Sequence, residues 1–189
     1  CLARAKAATI DADALVALQG AVPEVAQLGS SRSFVLTPHA GEFRTLFPQH
    51  ASERETDPWG AAERAAAESH ATVLLKGVPT TIARTGRPTL TVAAGNPGLA
   101  TGGSGDVLSG ILGAMLAREA EPEVAAALAA QALGRAADLA ARRVTARAMR
   151  PMDVIAALPD LWREWEATRR TGASVEAPVL LRLPAPRTA

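Results

Sequence analysis

The sequence predicts a three-layer α/β sandwich, with helices on both faces of one sheet, and three observations predict it. Short apolar runs of strand length at 7–10, 33–36 and 72–75 alternate with stretches of helical spacing. Thr81-Ile82-Ala83 and Leu90-Thr91-Val92 flank Thr85-Gly86-Arg87-Pro88, the pattern of a hairpin. The stretch AGNPGLATGGSGDVLSG at 94–110 then runs into an apolar helical pattern at Val107, Leu108, Ile111, Leu112, Met115 and Leu116, so a glycine-rich loop feeds a helix.

Composition narrows the function classes. At 189 residues, 48% hydrophobic and 21% charged, the chain is long enough for one domain with a sizeable core. A net charge of +1, three Phe, three Trp and no Tyr offer neither a basic patch nor stacking platforms, which argues against nucleic-acid binding. Cys1 is the one cysteine, so there is no disulfide framework and no Cys-based metal site, and a reducing cytoplasm fits. With no run of about eighteen consecutive apolar residues, no membrane association is expected. Cys1 stands where a start methionine would, and a strand pattern begins almost at once. The sequence is therefore expected to be a truncated chain or the C-terminal part of a longer one.

The strand at 7–10 passes into Asp11-Ala12-Asp13-Ala14-Leu15, a short helix with Asp11 or Asp13 as N-cap. Two acids at the C-terminal end of a strand serve equally well as caps or as ligands for a metal or ribose hydroxyls. Ser33–Leu36 leads through Thr37-Pro38-His39-Ala40-Gly41-Glu42 into a helix ending at Leu46. Pro38 keeps Thr37 extended, and Glu42 falls in the first turn, where the helix dipole favours a carboxylate. Taken alone, His39 is a loop histidine without a ligand. Residues 48–60 are polar and broken by prolines, so they read as a surface loop with His50 solvated, before an alanine-rich helix at 61–69.

The strand at 72–75 ends in Lys76-Gly77-Val78-Pro79-Thr80. Lys76 is one of two lysines among 20 basic residues. A compact ammonium against phosphate is a role that arginine fills poorly, although an ordinary strand-end charge remains the alternative. In the glycine loop, amides at Gly102, Gly103, Ser104 and Gly105 can turn toward an anion at the helix N-terminus, with Ser104 as N-cap. Asp106 would be favoured by the same dipole yet would repel a phosphate, unless it faces a hydroxyl to be activated or a metal ion. Helices are expected at 106–116, at 123–142 and from Pro151, where Asp153 is a first-turn acid. The domain then covers 1–168, and 169–189 is a tail too rich in Pro, Ala, Thr and Arg to order itself, Val179-Leu180-Leu181 being the part apt to dock.

GNPGLATGGSGDVLSG closely resembles the signature of the ADP/ATP-dependent NAD(P)H-hydrate dehydratases, a family of the ribokinase-like superfamily. The bare GxGD is common to many ribokinase-like kinases, whereas GNPGLAT is much narrower. TPHAGE at 37–42 is similar to the family's TPHPGE, with Ala40 replacing proline. LKGVPTTIA from Leu75 is similar to LKGxxT, IDADAL from Ile10 is shared, and Pro151–Pro159 resembles the final SDLIEALP helix with Met152 where Ser is common. Leu133 before Gly134 stands where the family often has the histidine of an LHG-like stretch. The resemblance covers residues 1–160.

It implies a ribokinase-like three-layer α/β/α sandwich, truncated at the N-terminus, because a complete family domain has further strands and helices before this point. It also implies repair of hydrated NADH or NADPH: ADP or ATP phosphorylates the ring hydroxyl, and elimination of phosphate restores the double bond. Asp106 is then the catalytic base or orienter, and His39 and Asn96 join it at the substrate. Lys76, Gly77, Val78, Pro79, Thr80 and Gly105 hold the nucleotide, Gly102 to Gly105 form the anion hole, and Mg²⁺ accompanies the phosphates. Because the domain is sometimes fused behind an epimerase, a fused or separate NAD(P)H-hydrate epimerase is an expected partner. Two alternatives stay open: a kinase of a small alcohol or vitamin precursor, and a non-catalytic nucleotide-binding fragment that needs its N-terminal part. Alanine-rich helices pack equally well within a domain or in a homo-oligomer, so the oligomeric state is open, as is ADP against ATP and NADH hydrate against NADPH hydrate.

Overall fold

Alternation along the short strands sends neighbouring side chains to opposite faces, and helices cover both. The computed structural model describes residues 2–29, 31–118, 121–171 and 179–181. In chain order the elements are β1 (Ala7–Ile10), α1 (Asp13–Val16), α2 (Val22–Gly29), β2 (Ser33–Leu36), α3 (Ala40–Leu46), α4 (Glu53–Thr56) and α5 (Pro58–Ser69). They continue with β3 (Thr72–Leu75), β4 (Thr80–Ala83), β5 (Leu90–Val92), α6 (Ser104–Leu116), α7 (Pro122–Val144), α8 (Pro151–Thr171) and β6 (Val179–Leu181). The six strands lie in sequence order in one sheet. β1, β2 and β3 are parallel, and from β3 to β6 each neighbouring pair is antiparallel.

Phe34, Leu36, Val73 and Leu75 face α2 and α5, in a core with Val25, Ala61, Ala62 and Ala65. Val35, Leu74, Ile82 and Val92 face the other way, under α6 and α7. Small side chains let α7 lie close: Ala129, Ala132 and Ala136 are all fully buried. α8 completes this layer through Val154, Ala157 and Leu161. The three-layer expectation is therefore met. By length and composition α7 could cross a bilayer, but most of it is buried against the sheet, α6 and α8, as in the core helix of a globular domain.

Several local expectations change. Ala12, not Asp11 or Asp13, occupies the cap position of α1, with φ +49°, because Asp11 is engaged elsewhere. α6 begins one residue before Gly105, so Ser104 is its first helical residue and Gly103, at φ +91°, is the cap. The expected loop at 48–60 contains α4 and the start of α5, which Asp57 caps through the Gly60 N–H at 3.0 Å. His50 is not solvated: it lies 3.1 Å from Glu68 and beside the Phe47 ring. α7 and α8 run longer than expected, α8 continuing through Pro159 to Thr171. The tail expected from 169 thus begins in a helix and includes β6, antiparallel to β5, while 172–178 and 182–189 lie outside the described residues.

Candidate active site

Register brings three strand ends together. Ile10 is opposite Leu36 and Leu36 opposite Val73, so the residues after β1, β2 and β3 emerge side by side at the C-terminal edge, where open α/β sheets receive ligands. The Thr37 N–H donates to the Ile10 carbonyl at 3.0 Å, and the Lys76 N–H to that of Pro38 at 2.9 Å. These bonds carry the sheet one step beyond the strands. Lys76 Nζ donates to Asp11 Oδ1 at 2.8 Å and lies 3.5 Å from Glu42 Oε2, while Ser109 Oγ donates to Asp11 Oδ2 at 3.0 Å. Burial by itself would raise the Asp11 pKa, but Lys76, Thr37 and Ser109 together outweigh it and hold the carboxyl below its usual range.

His39 caps α3. Its Nδ1 accepts the N–H groups of Gly41 and Glu42 at 2.9 and 3.2 Å, and Glu42 Oε2 accepts the His39 N–H at 2.7 Å, which closes a capping box. Since Nδ1 accepts, the ring proton belongs on Nε2. The side chain is 59% exposed, and its Nε2 lies 3.5 Å from Glu42 Oε1.

The glycine loop arrives from β5 and ends at α6. A Cβ on Gly105 would lie 3.3 Å from Asp11 Oδ2 and 3.8 Å from Lys76 Nζ. Glycine thus lets the first turn of α6 approach the Asp11–Lys76 pair. The Ser104 hydroxyl is buried without a hydrogen-bond partner among the described residues. Gly105 and Ser109 share one stripe of α6, and Asp106 lies about 100° around the helix. Asp106 is exposed and opens, with Gly110, on an apolar groove of about 460 Å³ between α6 and α8, lined also by Met115, Ile155 and Trp162. Lys76, Gly105 and His39 are therefore gathered near Asp11, and Asp106 looks onto the adjoining face.

The 76–80 connection is tied by Thr80 Oγ1 to the Gly77 carbonyl at 3.2 Å and holds Val78 fully in solvent. It leaves the backbone open at the sheet edge. Asn96 is engaged internally: Oδ1 accepts the Gly98 N–H and Nδ2 donates to Asp138 Oδ1, both at 3.0 Å. Sequence reading does not find Ser109, the Glu42–Lys76 contact or Asp138. Four-residue spacing from Gly105 could have pointed to Ser109, whereas Asp138 lies 42 residues from its partner and has no local signal.

Comparison with known proteins identifies a family and a fold. A family model described as NAD(P)H-hydrate dehydratase matches residues 1–160. The bifunctional NAD(P)H-hydrate repair enzyme Nnr of Moorella thermoacetica is 42% identical over 159 residues, which are 84% of this chain and 30% of that protein. Two solved structures share the fold. An ADP/ATP-dependent NAD(P)H-hydrate dehydratase from Bacillus subtilis, co-crystallised with ATP/Mg²⁺, is 29% identical at TM-score 0.67, covering 71% of this chain and 50% of that one. A ribokinase-like superfamily protein from Enterococcus faecalis is 28% identical at TM-score 0.68, covering 83% and 52%. The chain thus spans about half the length of these solved relatives and less of the bifunctional one. The sandwich is ribokinase-like.

Proposed function

The chain belongs to the NAD(P)H-hydrate dehydratase family, and we propose that it carries the nucleotide and phosphoryl-transfer side of a cytoplasmic enzyme that dehydrates hydrated NADH or NADPH at the expense of ADP or ATP. One observation carries the reading: a glycine loop and helix N-terminus meet the Lys76–Asp11 pair at Gly105, with Glu42 3.5 Å from the same ammonium. The Ser104 N–H is taken by the Thr101 carbonyl at 3.3 Å, so the N–H groups of Gly102, Gly103 and Gly105 and the Ser104 hydroxyl are the donors left for a transferring phosphoryl group. Lys76 lies beside Gly105, and the open 77–80 backbone that follows it takes the nucleotide. His39 offers Nε2–H to the hydrated nicotinamide.

In the reaction, the ring hydroxyl oxygen attacks the terminal phosphorus as the bridging P–O bond breaks, so AMP leaves from ADP or ADP from ATP. Asp106 accepts or orients the hydroxyl proton. The ring C–O bond then breaks with its electron pair on phosphate, and loss of a proton from the neighbouring carbon restores the double bond. Mg²⁺ suits the oxygen donors present. Asp11 and Glu42 converge on one ammonium, and no set of three acid, His or Cys side chains among the described residues could hold a metal alone, so the ion would arrive with its phosphates. Its chemistry is charge neutralisation on the phosphates.

A second reading rests on its own observation. β1 is the terminal strand of the sheet, and Asp106 opens on the apolar α6–α8 groove beside it. A further part of the domain, in the same polypeptide or in another with or without an epimerase, would cover that side and complete the substrate pocket. The test is to incubate the purified chain with NADH hydrate, Mg²⁺ and either ADP or ATP and to follow return of the reduced-nicotinamide absorbance. Asp106→Ala should cut the rate by about 10²–10⁴ and leave thermal stability unchanged, since the side chain is exposed. A stable phosphorylated product with no return of absorbance would instead identify a small-alcohol kinase.

A further inference from the structure

The loop that enters the anion site is held from α7 at two points one turn apart. At the first, backbone meets backbone: a Cβ on Gly134 would lie 2.4 Å from both the carbonyl carbon and the oxygen of Ala94. Gly95, at φ +116°, takes the left-handed conformation that this approach requires. At the second, four residues along the same face, Asp138 Oδ1 accepts from Asn96 Nδ2 at 3.0 Å. The other end of the Asn96 amide accepts the Gly98 N–H at 3.0 Å and closes the turn at 97–99. Gly98 is itself wedged, since a Cβ there would lie 2.4 Å from the Ala146 carbonyl oxygen. Asn96 therefore faces the protein with both polar atoms, and its partner is an acid that no step of the reaction uses.

We propose that Asp138 is a positioning residue for phosphoryl transfer: through Asn96 it fixes the entry of the glycine loop, so that the amides of 102–105 are set before the phosphoryl group arrives. Asn96 then acts on the loop rather than on the substrate. The physical reason is preorganisation. Donors that stabilise developing charge work only if no reorganisation is needed as the reaction proceeds, and displacement by about 1 Å can lower a rate by about 10². A carboxylate suits the role because a charge-assisted hydrogen bond holds the amide more firmly than a neutral one. The inference rests on the phosphoryl-transfer reading of this loop.

The test exchanges donor and acceptor. Asn96→Asp keeps the oxygen that caps Gly98 but sets a carboxylate against Asp138. Combined with Asp138→Asn, it restores one donor and one acceptor with their positions reversed. In the full chain, Asn96→Asp alone should lower kcat by about 10- to 100-fold, with a smaller change in KM for ADP or ATP, because the 76–80 segment holds the nucleotide independently. Amide hydrogen exchange across 98–105 should accelerate while that of α5 is unchanged. The double variant should return kcat to within about twofold of the parent and restore slow exchange. Unchanged kcat and exchange in Asn96→Asp, or failure of the double variant to recover, would overturn the proposal. If the parent shows no turnover, the phosphoryl-transfer reading fails separately, and the exchange measurements still decide whether Asp138 holds the loop.

Discussion

Two polar clusters flank the β3–β5 region, and they are built on opposite logic. Where the β4–β5 hairpin meets the start of α7, Arg84 bonds Glu121 and Glu123 at 2.7 Å each, and Arg87 reaches the same two acids at 3.3 and 3.0 Å. Two guanidinium groups face two carboxylates, so the cluster closes on itself. Both acids lie at the N-terminus of α7, where the dipole supports them. At the C-terminal edge of β1–β3, by contrast, Asp11 and Glu42 share one ammonium, that of Lys76, with the Ser109 hydroxyl and His39 as their other neighbours. Negative charge is in surplus there, next to a helix N-terminus with unpaired donors. A balanced cluster staples a hairpin to a helix, whereas on the proposed reading the unbalanced one receives the charge of a ligand. A nucleotide that brings both a cation and phosphates would satisfy its acids and its donors together.

Lys76→Ala breaks this contrast most strongly. Nucleotide affinity, measured by calorimetric titration, should fall by about 10- to 100-fold, and Lys76→Arg should recover only part because the longer planar group does not fit a site shaped for an ammonium. Thermal stability should fall as well, since the variant leaves Asp11 and Glu42 facing each other without their shared cation. Glu123→Ala should do the reverse. The buried Glu123 carboxylate engages both arginines, so its loss should cost about 1–3 kcal/mol of stability by denaturant titration while nucleotide affinity is unchanged. If Glu123→Ala weakened nucleotide binding as much as Lys76→Ala, the division between staple and receiver would be wrong.

Acid titration gives the smallest effect and sharpens the same distinction. The Asp11 pKa is lowered in the folded chain, so its contribution to stability is full above the unfolded value of about 3.9 and is lost as pH falls through the lower folded value. Below about pH 4, stability should therefore decline more steeply in the parent than in Asp11→Asn, in which that titration is absent. Equal slopes in the two proteins would mean that the Asp11–Lys76 bond contributes nothing.

Much of this could be read from residue order. Apolar runs at 33–36 and 72–75, the hairpin around Gly86 and the glycine stretch before Val107 locate strands, turn and helix because each signal lies within a few neighbouring residues. Lys76 stands out through the scarcity of lysine, and Gly105 through its place before a helix. Local signals failed where a distant group competed for the same atoms. Asp11 suits an N-cap by sequence, but it turns to Lys76, 65 residues away, and leaves Ala12 to take the strained cap position. Ser104 also suits an N-cap, yet Gly103 takes that place because a left-handed conformation is needed there and glycine adopts it without strain.

By itself, then, the sequence determined the three-layer class, the strands β1 to β5 and the glycine loop that feeds α6, since periodicity and glycine placement act over a turn or a strand. Only the tertiary structure decided which residues meet. Parallel register aligns the ends of β1, β2 and β3, and the turn of α6 sends Gly105 and Ser109 toward Asp11 while Asp106 opens on the α8 side. The close approach of α7 brings Asp138 to Asn96. Such contacts join residues tens of positions apart, and they form only when the sheet and its two helical layers have packed.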